Sequence, residues 1–375
     1  MNSKPEKDHE NLRYHLALAL APKIGPTVFK AILAYSGSPK AFFELGKGKA
    51  SKIPRVGQKL LEIQKQGDQL LRNADEVISS CSKKGYDILI STSPDFPQRL
   101  KPIEDSPVIL FSQGKGTLNF ERSIGIVGTR SATPYGKSIT RKIVEDLLPY
   151  QPVIISGLAY GIDIEAHRAA LQTGLPTIAI MGSPLNQIYP AAHKNTALQL
   201  QETGNLISEY APGSKMIPGN FPARNRIIAG LSDALIVVEA AEKGGALITA
   251  EIAYSYDKEV FAVPGNLQST FSEGCNQLIK KMKASIYTGP GDIAEALFWS
   301  KPGEEKVKKP NLDLSERDEE EKKILTHLQE KGESEIDMIS YSTEIPLGIL
   351  SSKLLSLEFA GIVKSLPGKK FKLLV

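Results

Sequence analysis

The sequence predicts an α/β fold: an extended Rossmann-like, doubly wound, mostly parallel sheet. A small helical domain of the SAM or helix–hairpin–helix (HhH) kind precedes it, and a winged-helix domain follows. Three observations carry this. Residues 85–298 alternate short apolar runs with helical stretches, the order that builds a parallel sheet from βαβ units. Residues 10–75 carry helical patterns alone, and residues 319–375 read as three helices and a hairpin. The expected division is 1–80, 81–300 and 319–375, with 301–318 as a linker.

Taken in order, the first helices are LRYHLALALAPKIG, PTVFKAILAYSG, SPKAFFELG and QKLLEIQKQGDQLLRNADEVISSC, punctuated by Gly and Pro, as helix ends are. IPRVGQKLLEIQ fits one hairpin of a helix–hairpin–helix module, and equally a plain packing segment. The strand candidates are YDILI (86–90), VILFS (108–112), IGIVGT (124–129), VIISG (153–157), TIAIMG (177–182), NLISEY (205–210), ALIVVEA (234–240), VFAVPG (260–265) and SIYT (285–288). Most are continuous apolar runs, as strands buried on both faces require. KPGEEKVKKPNLDLSERD (301–318) is charged and poor in apolar residues, hence a linker. EEEKKILTHLQEKG, EIDMISYST and IPLGILSSKLLSLEFAGIV supply the last three helices, and KSLPGKKFKLL supplies the wing.

Composition narrows the function. A chain of 375 residues, 41% hydrophobic and 23% charged, fits two or three globular domains. No apolar run reaches the roughly 18 residues of a membrane span. The N-terminus lacks the basic, apolar and small order of a signal peptide, so a cytoplasmic protein is expected. Cys81 and Cys275 are the only cysteines and lack C-x-x-C spacing, which argues against zinc and disulfides. No metal, no cofactor and no catalytic residue is expected.

The net charge of +4 is mild; its distribution is not. Residues 122–144 carry five Lys/Arg and no acid, and Glu209 is followed by no acid until Asp233. Yet residues 121–290 hold 15 basic against 14 acidic residues. The cations gather in the loops after the strands: Arg130 and Lys137 after IGIVGT, Lys194 after TIAIMG, and Lys215, Arg224 and Arg226 after NLISEY. Parallel sheets place their ligands at those ends. Glycines that let a backbone approach phosphate are expected at Gly128, Gly157, Gly161, Gly244 and Gly245, and flat faces for bases at Tyr189 and Phe221. Phosphate and base together point to single-stranded nucleic acid or a nucleotide. The structural alternatives stand beside this: arginines bridging Glu209 or Glu239, Phe221 as a core anchor, Asp163 as a helix cap.

Two motifs approach enzyme signatures. SATPYGKS (131–138) matches the phosphate-loop pattern G-x-x-x-x-G-K-[ST] except that Ser131 replaces the first glycine, which weakens any ATP reading. EKGGALITAE (242–251) pairs two glycines with Glu251, as in nucleotide phosphoribohydrolases, and a nucleotide hydrolase is the alternative function.

The series GIVGTRSATPYG, SGLAYGIDIEAH, IYPAAHK, FPARNRIIAGLSDALIVVEA, GGALITAEIA, VFAVPG and GCNQLI resembles the DprA/Smf family of bacterial DNA-processing proteins over about residues 85–290. The resemblance implies a Rossmann-like core that binds single-stranded DNA without sequence preference, a homodimer, and recruitment of RecA during natural transformation. It implies DNA contacts at Arg130 after the first glycine turn, Lys194 after the Tyr-Pro motif and Lys215 before the Phe-Pro motif. Phe221 matches the stacking aromatic, and Arg224 and Arg226 match the Arg-Asn-Arg arginines. The family often has Gly-Leu-Asp where this chain has Pro184-Leu185-Asn186, and Gly-Ser-Arg where it has Gly-Thr-Arg. The last helix of the winged-helix domain carries Lys353 and Glu358 but no Arg, Asn or Gln, a poor major-groove reader, so a protein contact is expected there.

Overall fold

The computed structural model describes residues 4–45, 58–300, 317–366 and 369–374. Residues 1–299 and 300–375 form two compact units.

In the first unit the nine expected strands make one sheet. They are β1 (Asp87–Ile90), β2 (Ile109–Gly114), β3 (Ser123–Val127), β4 (Val153–Ser156), β5 (Thr177–Met181), β6 (Asn205–Ser208), β7 (Ala234–Val237), β8 (Glu259–Ala262) and β9 (Ser285–Ile286). Their order is β1-β2-β6-β5-β4-β3-β7-β8-β9. β3 to β9 pair in parallel, whereas β2 runs antiparallel to β6 and β1 to β2. The sheet is therefore mostly parallel, with an antiparallel edge. β3 to β7 are buried along their whole length, which is why their sequences are apolar runs rather than alternations.

Within those runs the period of two still decides the face. Ile124, Ile126, Ile154 and Ile236 pack with Ile143 of the helix Pro134–Asp146 and Ala166 of the helix Ile162–Thr173. Val127, Ile155, Leu235 and Val237 pack with Ile228 of the helix Asn220–Leu231 and Ala250 of the helix Gly245–Ser255. The sheet is thus wound on both faces. From β3 the chain builds β4, β5 and β6 outward on one side, then crosses to build β7, β8 and β9 on the other. The reversal lies between β3 and β7.

The N-terminal helices do not close a core of their own. Leu16 of the helix Lys4–Ala19, Phe29 of Pro26–Ser36 and Phe42 of Pro39–Glu44 share one cluster with Val108, Ile109, Phe111, Met181 and Leu206. His15 Nε2 lies 2.8 Å from the Val108 carbonyl. The expected boundary at residue 80 therefore falls inside a compact unit, because the apolar face of the helices has the β5–β6–β2 end of the sheet as its other half. Residues 53–57 of the IPRVG stretch lie outside the described residues.

The second unit holds the helices Glu319–Lys331, Ile336–Thr343 and Leu347–Phe359. Strands β10 (Ser334–Glu335), β11 (Val363–Leu366) and β12 (Lys370–Leu373) run in the order β10-β12-β11. Ile324, Leu328, Ile339, Leu350, Leu354 and Val363 form its core. This is the expected winged helix. Most of the expected linker, 301–316, and the Pro-Gly turn at 367–368 lie outside the described residues. Among the described residues no helix is long and apolar enough to cross a membrane.

Candidate nucleic-acid interface

Every parallel strand ends on one rim of the sheet, so the loops after β3, β4, β5, β6 and β7 are neighbours there. A cavity of about 510 Å³ opens at the reversal between β3 and β7, where open α/β sheets hold ligands. Gly128, Arg130, Asp163, Arg224, Lys243 and Gly244 line it. A second cleft, of about 370 Å³, adjoins it, since Arg130 lines both.

The expected cations fall into two groups. Arg130, Lys137, Lys194 and Lys215 are exposed. Among the described residues none of their side chains has a hydrogen bond or ion pair. Arg224 and Arg226 form the second group, each engaged by internal acceptors. Arg224 is only 4% exposed. Its Nη1 donates to the Gly157 carbonyl at 2.6 Å and to the Ile180 carbonyl, so it ties β4 and β5 to the helix Asn220–Leu231. Burial pushes its pKa down to about 10, against the attraction of Asp163, and it stays charged at neutral pH. Arg226 Nη2 donates to both Glu209 oxygens, at 2.6 and 2.7 Å. Burial raises the Glu209 carboxyl, and Arg226 opposes that rise. The spacing Arg-x-Arg puts the two side chains about 200° apart on a helix, each turned to a different buried acceptor set.

The glycines divide in the same way. A Cβ on Gly157 would lie 2.4 Å from the Arg224 guanidinium, one on Gly128 would lie 2.4 Å from Ile162, and one on Gly161, at φ +79°, would lie 2.1 Å from the Thr129 carbonyl. At these three positions a side chain would meet the protein itself. Gly244 and Gly245 meet nothing closer than 3.9 Å and line the cavity at a helix start; Gly128 also lines it.

Phe221 is half-buried on Gly182, whose Cβ would lie 2.6 Å from the ring. Its centroid is 5.3 Å from that of Tyr189. Tyr189 is 47% exposed and is the more open face of the pair. Asp163 is buried with its carboxylate accepting from the Ala159 N–H at 3.4 Å. Burial raises its pKa, opposed by Arg224, by the N–H groups of Ala159 and Gly157, and by Arg130. It orders the loop after β4.

Neither enzyme-like motif is assembled. The Glu239 carboxylate accepts from the Thr133 N–H at 3.0 Å and its hydroxyl at 2.5 Å. It lies where a Cβ on Gly136 would be 2.1 Å away. A carboxylate thus occupies the anion position of the would-be phosphate loop. Glu251 does not line the Gly-Gly cavity and pairs with Lys283 at 2.6 Å, so the acid the hydrolase alternative names is not at its cradle; the acid lining the cavity is Asp163. Among the described residues no group of His, Cys, Asp or Glu is placed to hold a metal.

Sequence reasoning missed Arg168, Tyr160 and Lys243, which also line the two openings. Helical phase carries the signal for Arg168. Gly161, Ile164, Glu165 and Arg168 all line the second cleft, the i, i+3, i+4, i+7 set of one helix face.

Comparison with known proteins agrees with this geometry. Residues 87–298 match the family described as DNA recombination-mediator protein A, and residues 308–369 match the DprA winged helix domain. Protein Smf of Synechocystis sp. is 32% identical, over 96% of this chain and 98% of its own length. The X-ray structure of DNA processing protein A from Streptococcus pneumoniae superposes with a TM-score of 0.63 at 32% identity, covering 77% of this chain and 97% of that one. A structure of DNA processing protein A from Helicobacter pylori, reported for its single-stranded DNA binding mode, gives 0.51 at 31% identity, covering 57% and 95%. The mostly parallel sheet and the winged-helix unit find their counterpart in one place: the chain belongs to the DprA/Smf family of DNA-processing proteins.

Proposed function

We propose that the sheet rim binds single-stranded DNA through its phosphates, without sequence preference, and that the bound strand is handed to RecA during transformation or recombination. The observation that carries this is the contrast among the cations. The largely buried Arg224 and Arg226 are held by internal acceptors, whereas Arg130, Lys137, Lys194 and Lys215 stand exposed in the loops and first helical turns after β3, β5 and β6. Cations held without carboxylate partners on one rim attract a polyanion, and the Tyr189–Phe221 pair supplies a ring face for an unstacked base. The single-strand binding reported for the Helicobacter pylori relative supports the same reading. Transfer to RecA rests on the family's description as recombination mediators. A homodimer in the cytoplasm is part of the proposal, as is the absence of catalysis.

For the winged helix we propose a protein contact. Lys353 is held by Asp318, so its charge is not offered to a phosphate. Leu355 and Phe359 of the same helix are 53% and 85% exposed, an apolar face that suits protein better than a groove of hydrogen-bonding base edges.

The test is fluorescence anisotropy with labelled dT oligomers. Arg130→Ala and Lys194→Ala each weaken binding and shrink the salt dependence of log K by about 0.7 per lost phosphate contact. Unchanged affinity in both variants overturns the proposal.

A further inference from the structure

Beyond Arg130 and Lys137, the residues of the second cleft have no role in what has been derived so far. It lies between the start of the helix Pro134–Asp146 and one face of the helix Ile162–Thr173, and Arg130, Lys137, Tyr160, Glu165, Arg168 and His193 line it. Arg168 is exposed and its side chain has no hydrogen bond or ion pair among the described residues; the same holds for the Lys137 side chain. The one acid in the wall, Glu165, is spoken for: its side chain is 12% exposed and lies 3.4 Å from Arg141. The cleft therefore offers three uncompensated cations. It also offers a ring. Tyr160 is 48% exposed and stands edge-on to His193, with centroids 4.8 Å apart and planes 71° apart. His193 is itself fixed, its Nδ1 lying 2.7 Å from the Leu158 carbonyl. An aromatic held by a buried neighbour, with a free face beside three cations, is the arrangement that takes a base and its phosphate.

We propose that this cleft is a second nucleotide subsite: Arg168 and Lys137 neutralise a phosphate next to the one at Arg130, and Tyr160 stacks its base. The subsite rests on the single-strand reading above, and it lengthens the path of the strand past the reversal of the sheet, with Arg130 as the shared post between two openings. Arg168 is placed to do this by helical phase alone, and removing it breaks no internal contact, so its variants test binding rather than folding.

The experiment measures anisotropy of labelled dT oligomers of increasing length, at several salt concentrations, for the full chain and for Arg168→Ala, Lys137→Ala, Arg168→Lys and Tyr160→Ala. Arg168→Ala with Lys137→Ala weakens binding of long oligomers by roughly tenfold or more at low salt and lowers the salt slope by about 0.7, the worth of the one phosphate they share. Arg168→Lys restores most of the slope. Tyr160→Ala weakens long oligomers by roughly tenfold, the worth of one stacked base, and leaves the salt slope unchanged. The shortest oligomers, which fill only the opening at Gly244, bind the two Arg168 variants and Tyr160→Ala alike. If Arg130→Ala weakens binding while the Arg168 and Tyr160 variants match the parent at every length, the second subsite is overturned and the single-strand reading stands. If Arg130→Ala also leaves binding unchanged, both fall.

Discussion

Arg130 and Arg224 have the same charged group and opposite employment. Arg224 is buried and holds two strand-end carbonyls, so its loss leaves those acceptors without their donor and the Asp163 carboxylate without a favourable charge. Arg224→Ala should cost about 1–3 kcal/mol of stability, read as a lower urea midpoint. Arg130→Ala should leave that midpoint within about 0.5 kcal/mol of the parent, as exposed positions do, while weakening DNA binding. A DNA-specific loss in Arg224→Ala with unchanged stability would contradict the buried assignment. The same distinction governs the glycines. Gly157 exists for the Arg224 guanidinium and Gly161 for the Thr129 carbonyl, whereas Gly244 has open space before it.

At the scale of elements, two buried histidines tie helices to the sheet. His15 joins the first helix to the Val108 carbonyl, and His167 Nδ1 lies 2.7 Å from Thr177 Oγ1 at the start of β5. Burial lowers their pKa values from 6.5 to about 4 and about 3. The folded state therefore keeps both rings neutral where the unfolded chain already takes up protons. Their contribution is complete above pH 6.5 and is lost as pH falls toward 4, by about 1.4 kcal/mol per pH unit for each ring. Asp163 and Glu209, whose carboxyls are raised by burial, act with the opposite sign at the acid end and offset part of the loss. Urea titrations at several pH values on the parent and on His15→Gln check this. The variant should show a slope shallower by about one proton, and an identical slope would exclude His15 as the titrating group. The cap of the helix Pro134–Asp146 belongs to this scale too. Thr133 and Glu239 close it from opposite ends of the β3–β7 reversal, which stiffens the loop carrying Arg130.

For the molecule as a whole, the shared cluster of Leu16, Phe29, Phe42, Ile109 and Phe111 makes residues 1–299 one folding unit. A fragment of residues 81–300 exposes Ile109 and Phe111, each worth roughly 1.5–3 kcal/mol when buried. It should aggregate or show a broad thermal transition. Residues 1–299 should unfold in one cooperative step, and residues 300–375, with their own core, should fold alone; circular dichroism and sedimentation of the three fragments decide. A well-folded monomeric 81–300 fragment would show that the helices are a separate domain after all.

The sequence alone determined the strands, a mostly parallel sheet and the end of the sheet where the cations gather, because these follow from local features: continuous apolar runs, helix-breaking residues and the absence of acids between Glu209 and Asp233. It also showed the winged helix, whose core is local in the chain. Only the tertiary structure decided which cations face solvent. Arg224 and Arg226 are two residues apart and look equivalent to Arg130 in a string, yet Gly157, Ile180 and Glu209, distant in sequence, claim them. Burial and partnership depend on what other segments bring to the same point, and neither the spacing nor the composition of one segment encodes that.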